Sequence, residues 1–248
     1  MQNIKTGLQR RQKQISKWTI FYANARGIMS KKMSIIDTLG EMKPEIALFT
    51  ETMLKGTSNF NIDGYTFCGR GREKKACGGV GILVKNDVKH VVTPHGSQRD
   101  IKLIWVSVRR KCQRPIFIGV YYGKQESRNN RNEMLLEMDK LSDEIQEKRD
   151  EGEVMLFMDG NGKIGMLGEE ISRNGRLLMD LFNENDLELM NQSDKCKGAI
   201  TRVNRKRTDE TSAIDFLVVT ESIEQQIEQI IIDEKGDFLL HGSAPASN

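Results

Sequence analysis

Residues 153–165, with the sequence EVMLFMDGNGKIG, indicate the fold more clearly than any other part of the chain. Apolar residues 154–158 run directly into Asp159, Gly160 and Asn161, and a glycine-spaced loop follows. Short apolar runs that end at turn residues are typical of buried strands. The pattern therefore predicts a strand whose carboxyl end presents a carboxylate and a carboxamide together. A strand followed by an ordinary Asp-Gly turn would produce the same pattern, because these residues favour turns.

The composition indicates a soluble globular protein. The chain has 248 residues, of which 29% are charged, and its formal net charge is +3. A chain of this length can bury a sizeable core, either as one large mixed domain or as two small ones. It contains no apolar run long enough for a membrane span, and its N-terminus lacks the apolar core of a signal peptide. We therefore expect an intracellular protein that does not contact membranes.

The cysteines show neither Cys-x-x-Cys pairing nor the spacing of metal ligands. They are Cys68, Cys77, Cys112 and Cys196. We predict that all of them are free thiols in a reducing compartment.

The first 16 residues contain basic side chains and no acid. Such a segment is typical of a flexible arm that contacts a polyanion, and it fits a merely solvated tail equally well. The remainder shows no internal repeat and no low-complexity linker. We therefore predict a basic arm at residues 1–16 and a single domain at residues 17–248.

Strand-like and helix-like segments alternate along this domain. The predicted strands are residues 18–23, 45–50, 79–84, 103–108, 115–121, 154–158, 213–219 and 227–232, with a turn and strand at 60–68 and a short strand near Leu187. The predicted helices are residues 32–42, 132–148 and a segment around 177–182. Alternation with several consecutive strands predicts a mixed α/β (α+β) sandwich, in which two sheets pack together and helices cover them.

Polar side chains recur at the ends of these apolar strands or inside one. They are Asn24, Glu51, Asp159 with Asn161, and Asp215. An acid beside a buried strand costs free energy unless it is paired or binds a metal. Hard oxygen ligands of this kind suit Mg²⁺, and no cluster of His and Cys competes for a softer metal. Each residue alone would also fit a satisfied structural polar group, but their recurrence at strand ends favours a site.

The same residues occur in an order that resembles a known family. Asn24 lies in the first strand and is followed by FTET with Glu51, GVY with Tyr121, DGN with Asp159 and Asn161, and SAIDF with Asp215. This order resembles the endonuclease/exonuclease/phosphatase (DNase I-like) superfamily. Residues 78–87 and 171–191 look in particular like the apurinic-like endonuclease domain of non-LTR retrotransposons. The resemblance covers residues 17–235.

The resemblance implies a DNase I-like four-layered α/β sandwich and a role for each motif residue. Glu51 would bind Mg²⁺, or Mn²⁺ in its place, with Asn24 beside it. Asp159 would orient or deprotonate the attacking water, and Asn161 would hold the scissile phosphate. Tyr121 would contact the phosphate or the leaving oxygen. Asp215 would orient a catalytic histidine.

Two features depart from the family pattern. Family members usually have Gly-Asp-Phe-Asn where this chain has Met158-Asp159-Gly160-Asn161. The family also closes with Ser-Asp-His, whereas Ser247-Asn248 stands at that place here. His241 precedes this position by several residues, and we expect His90 and His95 in a surface loop. Activity is therefore expected to be weakened or lost.

Three functions remain open from the sequence: a Mg²⁺-dependent endonuclease that nicks DNA, an inactive module that binds nucleic acid or protein, and a small-molecule phosphatase. Basic loops, one of which we predict at residues 201–212, favour DNA as the partner, although a solvated charged surface would look the same. The residues that we predict to contact DNA are Arg70, Arg72, Arg202, Arg205, Lys206 and Arg207. The resemblance further implies a nuclear monomer, or a domain of a larger polyprotein that also carries a reverse transcriptase.

Overall fold

The computed structural model describes residues 17–55, 60–70, 78–93, 101–109, 113–203 and 210–235. The predicted basic arm at residues 1–16 lies outside these ranges, as do His95, His241 and residues 247–248. In the part of the chain that is described, no helix has the length and apolar character needed to cross a membrane.

The strands are β1 Ile20–Asn24, β2 Ile46–Thr50, β3 Tyr65–Arg70, β4 Val80–Lys85, β5 His90–Thr93, β6 Leu103–Val108, β7 Ile116–Tyr122, β8 Glu153–Asp159, β9 Glu188–Leu189, β10 Cys196–Lys197, β11 Arg202–Val203, β12 Thr211–Ser212, β13 Asp215–Val219 and β14 Ile230–Ile231. Seven of these strands, namely β1, β2, β4, β6, β7, β8 and β13, agree to within two residues with the segments predicted from apolar runs. The α-helices are α1 Lys32–Met42, α2 Arg131–Glu151, α3 Arg173–Glu184 and α4 Glu221–Glu224, and a 3₁₀ turn covers Met190–Gln192.

Two sheets form the centre of the described structure. The first has the strand order β1-β2-β4-β3, and the second has the order β5-β6-β7-β8-β13-β9. Strands β1 and β2 are parallel, as are β7 and β8, while β13 runs antiparallel to β8. Parallel neighbours end at the same edge of a sheet, so the side chains that follow them are brought together.

The apolar side chains form three clusters that define four layers. One cluster, which includes Leu48, Ile82 and Val120, fills the space between the two sheets. A second lies between the six-stranded sheet and helices α2 and α3, and a third lies between the four-stranded sheet and α1. The order is therefore helix, sheet, sheet, helix, which confirms the predicted four-layered α/β sandwich.

The helices form where the sequence pattern predicted them. Helix α2 buries Met134, Leu141 and Ile145 on one face, as the apolar spacing indicated. Helix α3 begins after Ser172, whose hydroxyl accepts a hydrogen bond from Gly175 N at 3.1 Å. This serine cap satisfies one of the free N–H groups of the first turn.

Three details differ from the sequence predictions. His90 is the first residue of β5, an edge strand that pairs with β6, and it does not lie in a loop. Asp215 begins β13 instead of lying inside it. The basic segment 201–212 was predicted as a loop, but it starts and ends as the antiparallel pair of β11 and β12. Short edge strands are missed because four-residue and two-residue pairings produce little periodicity.

Candidate functional site

Asp159 is the centre of a polar cluster at one end of the seam between the two sheets. Its side chain is buried, and the residue is 1% exposed. Asn24 Nδ2, from the facing sheet, donates to Asp159 Oδ2 at 2.8 Å, and Asn161 N donates to Oδ1 at 3.3 Å. In the six-stranded sheet, Tyr122 and Asp215 are the strand partners of Asp159 on its two sides. Residues paired across strands project on the same face, so these side chains are neighbours.

Glu51 joins this cluster from the end of β2. The hydroxyl of Tyr122 donates to Glu51 Oε1 at 3.4 Å, which links the two sheets. Glu51 and Asn161 have φ angles of +49° and +47°, in the left-handed region that non-glycine residues rarely adopt. Gly27 N donates to the Glu51 carbonyl at 2.8 Å, and this contact helps to hold the conformation. Strained backbone of this kind concentrates at functional sites.

The tyrosine of the cluster is Tyr122, and the prediction that Tyr121 would join it is wrong. Tyr121 is completely buried on the other face of the sheet, where its hydroxyl donates to Glu137 Oε1 of α2 at 2.8 Å. Successive side chains of a strand point to opposite faces, so only one of the pair can face Asp159. The register of β7 against β8 selects Tyr122.

Tyr22 belongs to the site and was missed by the sequence analysis. Its hydroxyl donates to Asp215 Oδ1 at 2.7 Å and lies 3.4 Å from Thr50 Oγ1. Its ring stacks on Phe157, with a centroid separation of 5.7 Å. Tyr22 precedes Asn24 by two residues in β1 and therefore lies on the same face of the strand. That alternation was the available signal.

The backbone around Asp215 is held by two polar side chains, those of Thr201 and Asn191. The N–H groups of Ile214 and Asp215 donate to Thr201 Oγ1 at 2.9 and 3.1 Å. Asn191 Nδ2 donates to the Asp215 carbonyl, and Asn191 Oδ1 accepts from Leu217 N. The side chain of Asn191 therefore continues the hydrogen bonding of β13 beyond the short strand β9.

Burial, assisted by neighbouring negative charge, raises the pKa values of Asp159 and Asp215. Burial, followed by the charges of Asp215 and Glu51, raises the pKa of Asp159 to about 8. Burial raises the pKa of Asp215 to about 6, although hydrogen bonds from Tyr22 and Thr201 and the charge of Arg26 act in the opposite direction. Burial, together with the Asp215 and Asp159 charges, holds the pKa of Tyr22 well above its usual value. Without a cation, Asp159 is therefore mostly protonated near neutral pH, because the ionised form of its carboxyl group is disfavoured by burial and by the neighbouring acids.

Side chains around Asn161 fix the loop that follows Asp159. Asn161 Nδ2 donates to the Gly123 carbonyl at 3.0 Å, and Asn174 Nδ2 donates to the Asn161 carbonyl at 3.1 Å. Gly160 takes the place of the aromatic spacer that is usual in the resembling family. A Cβ at residue 160 would lie only 2.6 Å from Leu178 Cδ1 and 3.3 Å from Phe216, so these side chains already fill that space.

The predicted DNA contacts are only partly described. Arg202 is exposed at the base of the β11–β12 pair, next to Thr201, which binds the backbone of Asp215. Arg70 ends β3, and its strand partner Val80 is in turn paired with Thr50, so the backbone of Arg70 lies at the Glu51 end of the sheet. Arg72, Arg205, Lys206 and Arg207 lie outside the described residues.

The oxygen atoms of the site suit a hard cation that keeps several waters. No group of three or more His, Cys, Asp or Glu residues in the described ranges is arranged to enclose a metal. Mg²⁺, however, usually takes only one or two protein carboxylates and completes its shell with water and substrate oxygens. Glu51 and Asn24 offer oxygen atoms of the kind that this smaller requirement needs, and Asn24 is fixed beside Asp159 by its hydrogen bond.

Comparisons with known proteins give structural neighbours but no relatives by sequence. No protein-family model matches the chain, and no curated protein matches it. The endonuclease domain of TRAS1, a telomere-specific non-LTR retrotransposon, superposes with a TM-score of 0.63 and 18% identity, covering 84% of this chain and 88% of that one. The AP endonuclease LMAP from Leishmania major gives a TM-score of 0.67 at 9% identity, covering 83% of this chain and 80% of that one.

A third neighbour is the 3′ phosphatase NExo from Neisseria, solved with a product DNA hairpin. It superposes with a TM-score of 0.65 and 16% identity, covering 84% of this chain and 89% of that one. The neighbours are nucleases and phosphatases of the DNase I-like superfamily. The chain therefore has the DNase I-like fold, which confirms its resemblance to the endonuclease/exonuclease/phosphatase superfamily at the level of the fold.

Proposed function

We propose that the chain is a divalent-metal-dependent phosphodiester hydrolase that nicks DNA, as a retrotransposon-type endonuclease does. The observation that carries this proposal is the meeting of Asn24, Glu51, Tyr122, Asp159 and Asp215 at one end of the seam between the sheets. The pKa of Asp159, raised to about 8, means that burial and the neighbouring acids disfavour its ionised form. A bound cation would favour that form, which the proposed chemistry requires.

Glu51 and Asn24 would hold the metal, which we propose to be Mg²⁺ with Mn²⁺ as an alternative. When bound, the metal would stabilise the charge that develops on the phosphoryl oxygens. Asp159 would accept the proton of the attacking water, because its carboxylate is fixed by Asn24 and by Asn161 N. Asn161 and Tyr122 would hold the scissile phosphate, with Tyr122 in the role first assigned to Tyr121.

DNA is the proposed substrate, and Arg202 lies where it could contact the phosphate backbone beside the site. The neighbour bound to a DNA hairpin supports this choice for the present chain. Arg70, Arg72, Arg205, Lys206 and Arg207 remain proposed contacts. A monomeric state, a nuclear location, a basic arm at residues 1–16 and a link to a reverse transcriptase stay predictions that accompany the proposal.

Nicking of supercoiled plasmid tests the proposal. The wild-type chain should convert supercoiled to open-circular DNA in the presence of Mg²⁺ or Mn²⁺, and EDTA should stop the reaction. Glu51→Gln should remove the activity while the circular dichroism spectrum stays that of the wild type. Nicking that persists in EDTA, or that survives Glu51→Gln unchanged, would refute the metal-dependent hydrolase.

A second function, binding without turnover, is favoured by one specific observation. Asp215 has Tyr22 as its hydrogen-bond partner in place of the histidine that the resemblance implies. Among the described residues the only histidine is His90, and strands β6, β7 and β8 separate its strand from β13. Metal-dependent DNA binding with no nicking, in the same assay series, would select this function.

A further inference from the structure

Lys102 lies against the side of Tyr122 that is turned away from Asp215. Its ammonium is 4.3 Å from the centroid of the Tyr122 ring, a distance at which a cation is attracted to the ring face. The backbone fixes the same pair, because Tyr122 N donates to the Lys102 carbonyl at 2.9 Å. The hydroxyl of this tyrosine points to Glu51. A positive charge is thus positioned at the rim of the cluster described above.

Gly78 leaves room for the alkyl chain of Lys102. A Cβ at this glycine would lie 3.2 Å from Tyr122 Cε1 and 3.4 Å from Cδ and Cε of Lys102. Its φ of +76° also suits glycine better than other residues, and its carbonyl accepts from Met53 N at 2.8 Å. The loop after Glu51 and the stem of Lys102 therefore pack against one glycine. Lys102 is half-buried, and its side chain is positioned by these contacts and by the aromatic ring.

Neighbouring strands place Lys102 and Asp215 on opposite sides of the reaction centre. Lys102 immediately precedes β6, and Asp215 begins β13; β7 and β8 lie between those strands and carry Tyr122 and Asp159. A phosphate that contacts Tyr122 and Asn161 would be the scissile one. If the DNA backbone crosses the site in the direction from β8 to β6, its next phosphate would then reach the ammonium of Lys102. Lysine binds phosphate as a point charge and needs no particular approach angle.

We infer that Lys102 forms a second phosphate subsite, which binds the backbone phosphate adjoining the scissile one. The inference rests on the proposed phosphodiesterase function and refines its substrate class. A small phosphomonoester has no adjoining phosphate to offer, whereas a polynucleotide strand always does. The subsite therefore favours a nucleic-acid strand over the small phosphorylated molecule that the fold also allows. Lys102 acts by positioning the strand.

The test measures binding without turnover, so that it is independent of nicking. All proteins carry Asp159→Asn, and binding to a DNA duplex is followed by fluorescence anisotropy with Mg²⁺ at several salt concentrations. Lys102→Met keeps the alkyl packing against Gly78 and removes the charge, while Lys102→Arg restores the charge. Lys85→Met is the matched control, because Lys85 lies at the end of β4 remote from Val80, whose strand partner Thr50 precedes Glu51, and it pairs with Asp87 at 3.7 Å.

We expect Lys102→Met to reduce the slope of log affinity against log salt by about 1, as the loss of one phosphate contact does. Lys102→Arg should restore the slope, and Lys85→Met should leave it unchanged. Duplexes with one neutral methylphosphonate linkage then locate the contact. When the methylphosphonate replaces the phosphate next to the scissile one, the parent protein and its Lys102→Met variant should bind the duplex with equal affinity. At every other linkage the difference in affinity should remain.

Three results would overturn the subsite: equal slopes for the Lys102→Met and parent proteins, an equal effect of Lys85→Met, or no linkage that removes the difference. The nicking assay reports separately on the proposed function. A chain that nicks plasmid but shows no Lys102 effect refutes the subsite alone. If the wild-type chain never nicks plasmid but Lys102→Met still lowers the salt slope of binding, the hydrolase is refuted. The polynucleotide-binding subsite then remains.

Discussion

The two faces of the six-stranded sheet each bury a carboxylate beside a tyrosine, but the charges around the two carboxylates differ. On the helix side, Glu137 accepts from Tyr121 at 2.8 Å and lies 3.4 Å from the ammonium of Lys124. On the other face, Asp159 has Tyr122 as its strand partner but is surrounded by the charges of Asp215 and Glu51. The first carboxylate is neutralised within the protein. The second lies beside two other acids, which together with burial raise its pKa to about 8, and in the proposed function a bound cation would supply the missing counter-charge.

The largest expected contrast comes from neutralising each carboxylate in turn. Asp159→Asn keeps an acceptor for Asn24 and removes the proton acceptor, so nicking should fall on the order of 10²–10⁴-fold. Glu137→Gln should leave the nicking rate unchanged but lower the melting temperature, because Lys124 loses its buried partner. Plasmid nicking and thermal unfolding of both variants provide the measurement. Equal losses of activity in the two variants would contradict the assignment of the two faces.

The two tyrosines give the next contrast. Tyr122→Phe removes a hydroxyl that would contact the phosphate, and we expect nicking to slow on the order of 10²-fold. Tyr121→Phe leaves the buried Glu137 without one donor, which should cost about 1–3 kcal/mol of stability with no change in rate. Chemical denaturation and initial nicking rates separate these outcomes. If Tyr121→Phe proves the slower enzyme, the first assignment of the phosphate contact to Tyr121 was right.

The smallest effect concerns pH and stability without metal. The native pKa of Asp159, about 8, exceeds the ordinary value of 3.8, and that of Asp215, about 6, does so as well. The native state therefore binds more protons than the unfolded state between about pH 4 and pH 8, and its free energy of unfolding falls as pH rises through this window. Melting temperatures in EDTA should be higher at pH 5 than at pH 8.

Added Mg²⁺ should reduce that pH dependence, because a cation replaces the protons as counter-charge and stabilises the native state by mass action. Asp159→Asn should also reduce the pH dependence of the melting temperature in EDTA, since it removes the acid whose pKa is raised most. Thermal unfolding across pH 5 to 8, with and without Mg²⁺, is the measurement. A melting temperature in EDTA that rises with pH over this range would show that the acids are not packed together as described.

The sequence was informative wherever an apolar run ended at a polar residue. Asn24, Glu51, Asp159 and Asn161 were named from such positions and Asp215 from inside a run, and the structure brings them to one end of the sheets. The runs also predicted seven strands to within about two residues, since a buried strand requires continuous apolar side chains.

What could not be predicted depended on register and on long-range pairing. Tyr121 and Tyr122 are adjacent and chemically identical, and only the alignment of β7 with β8 decides which one faces Asp159. Tyr22 was overlooked because its partner Asp215 is 193 residues away. Glycine at residue 160, where the resembling family has an aromatic residue, suggested a loss of packing. In the structure, Leu178 and Phe216 occupy the space that an aromatic ring would fill. The sequence alone does not show which distant side chain fills a gap.

The left-handed backbone at Glu51 sets folding and function against each other. Each such non-glycine residue costs about 1–3 kcal/mol, and glycine would remove the cost at φ +49°. Asn161 tolerates this region better, since asparagine is enriched there. A library selected for heat resistance alone should therefore accumulate glycine at residue 51, while a library selected for nicking should keep glutamate. If heat selection also retained glutamate, its carboxylate would be holding the fold together, and the position would be structural.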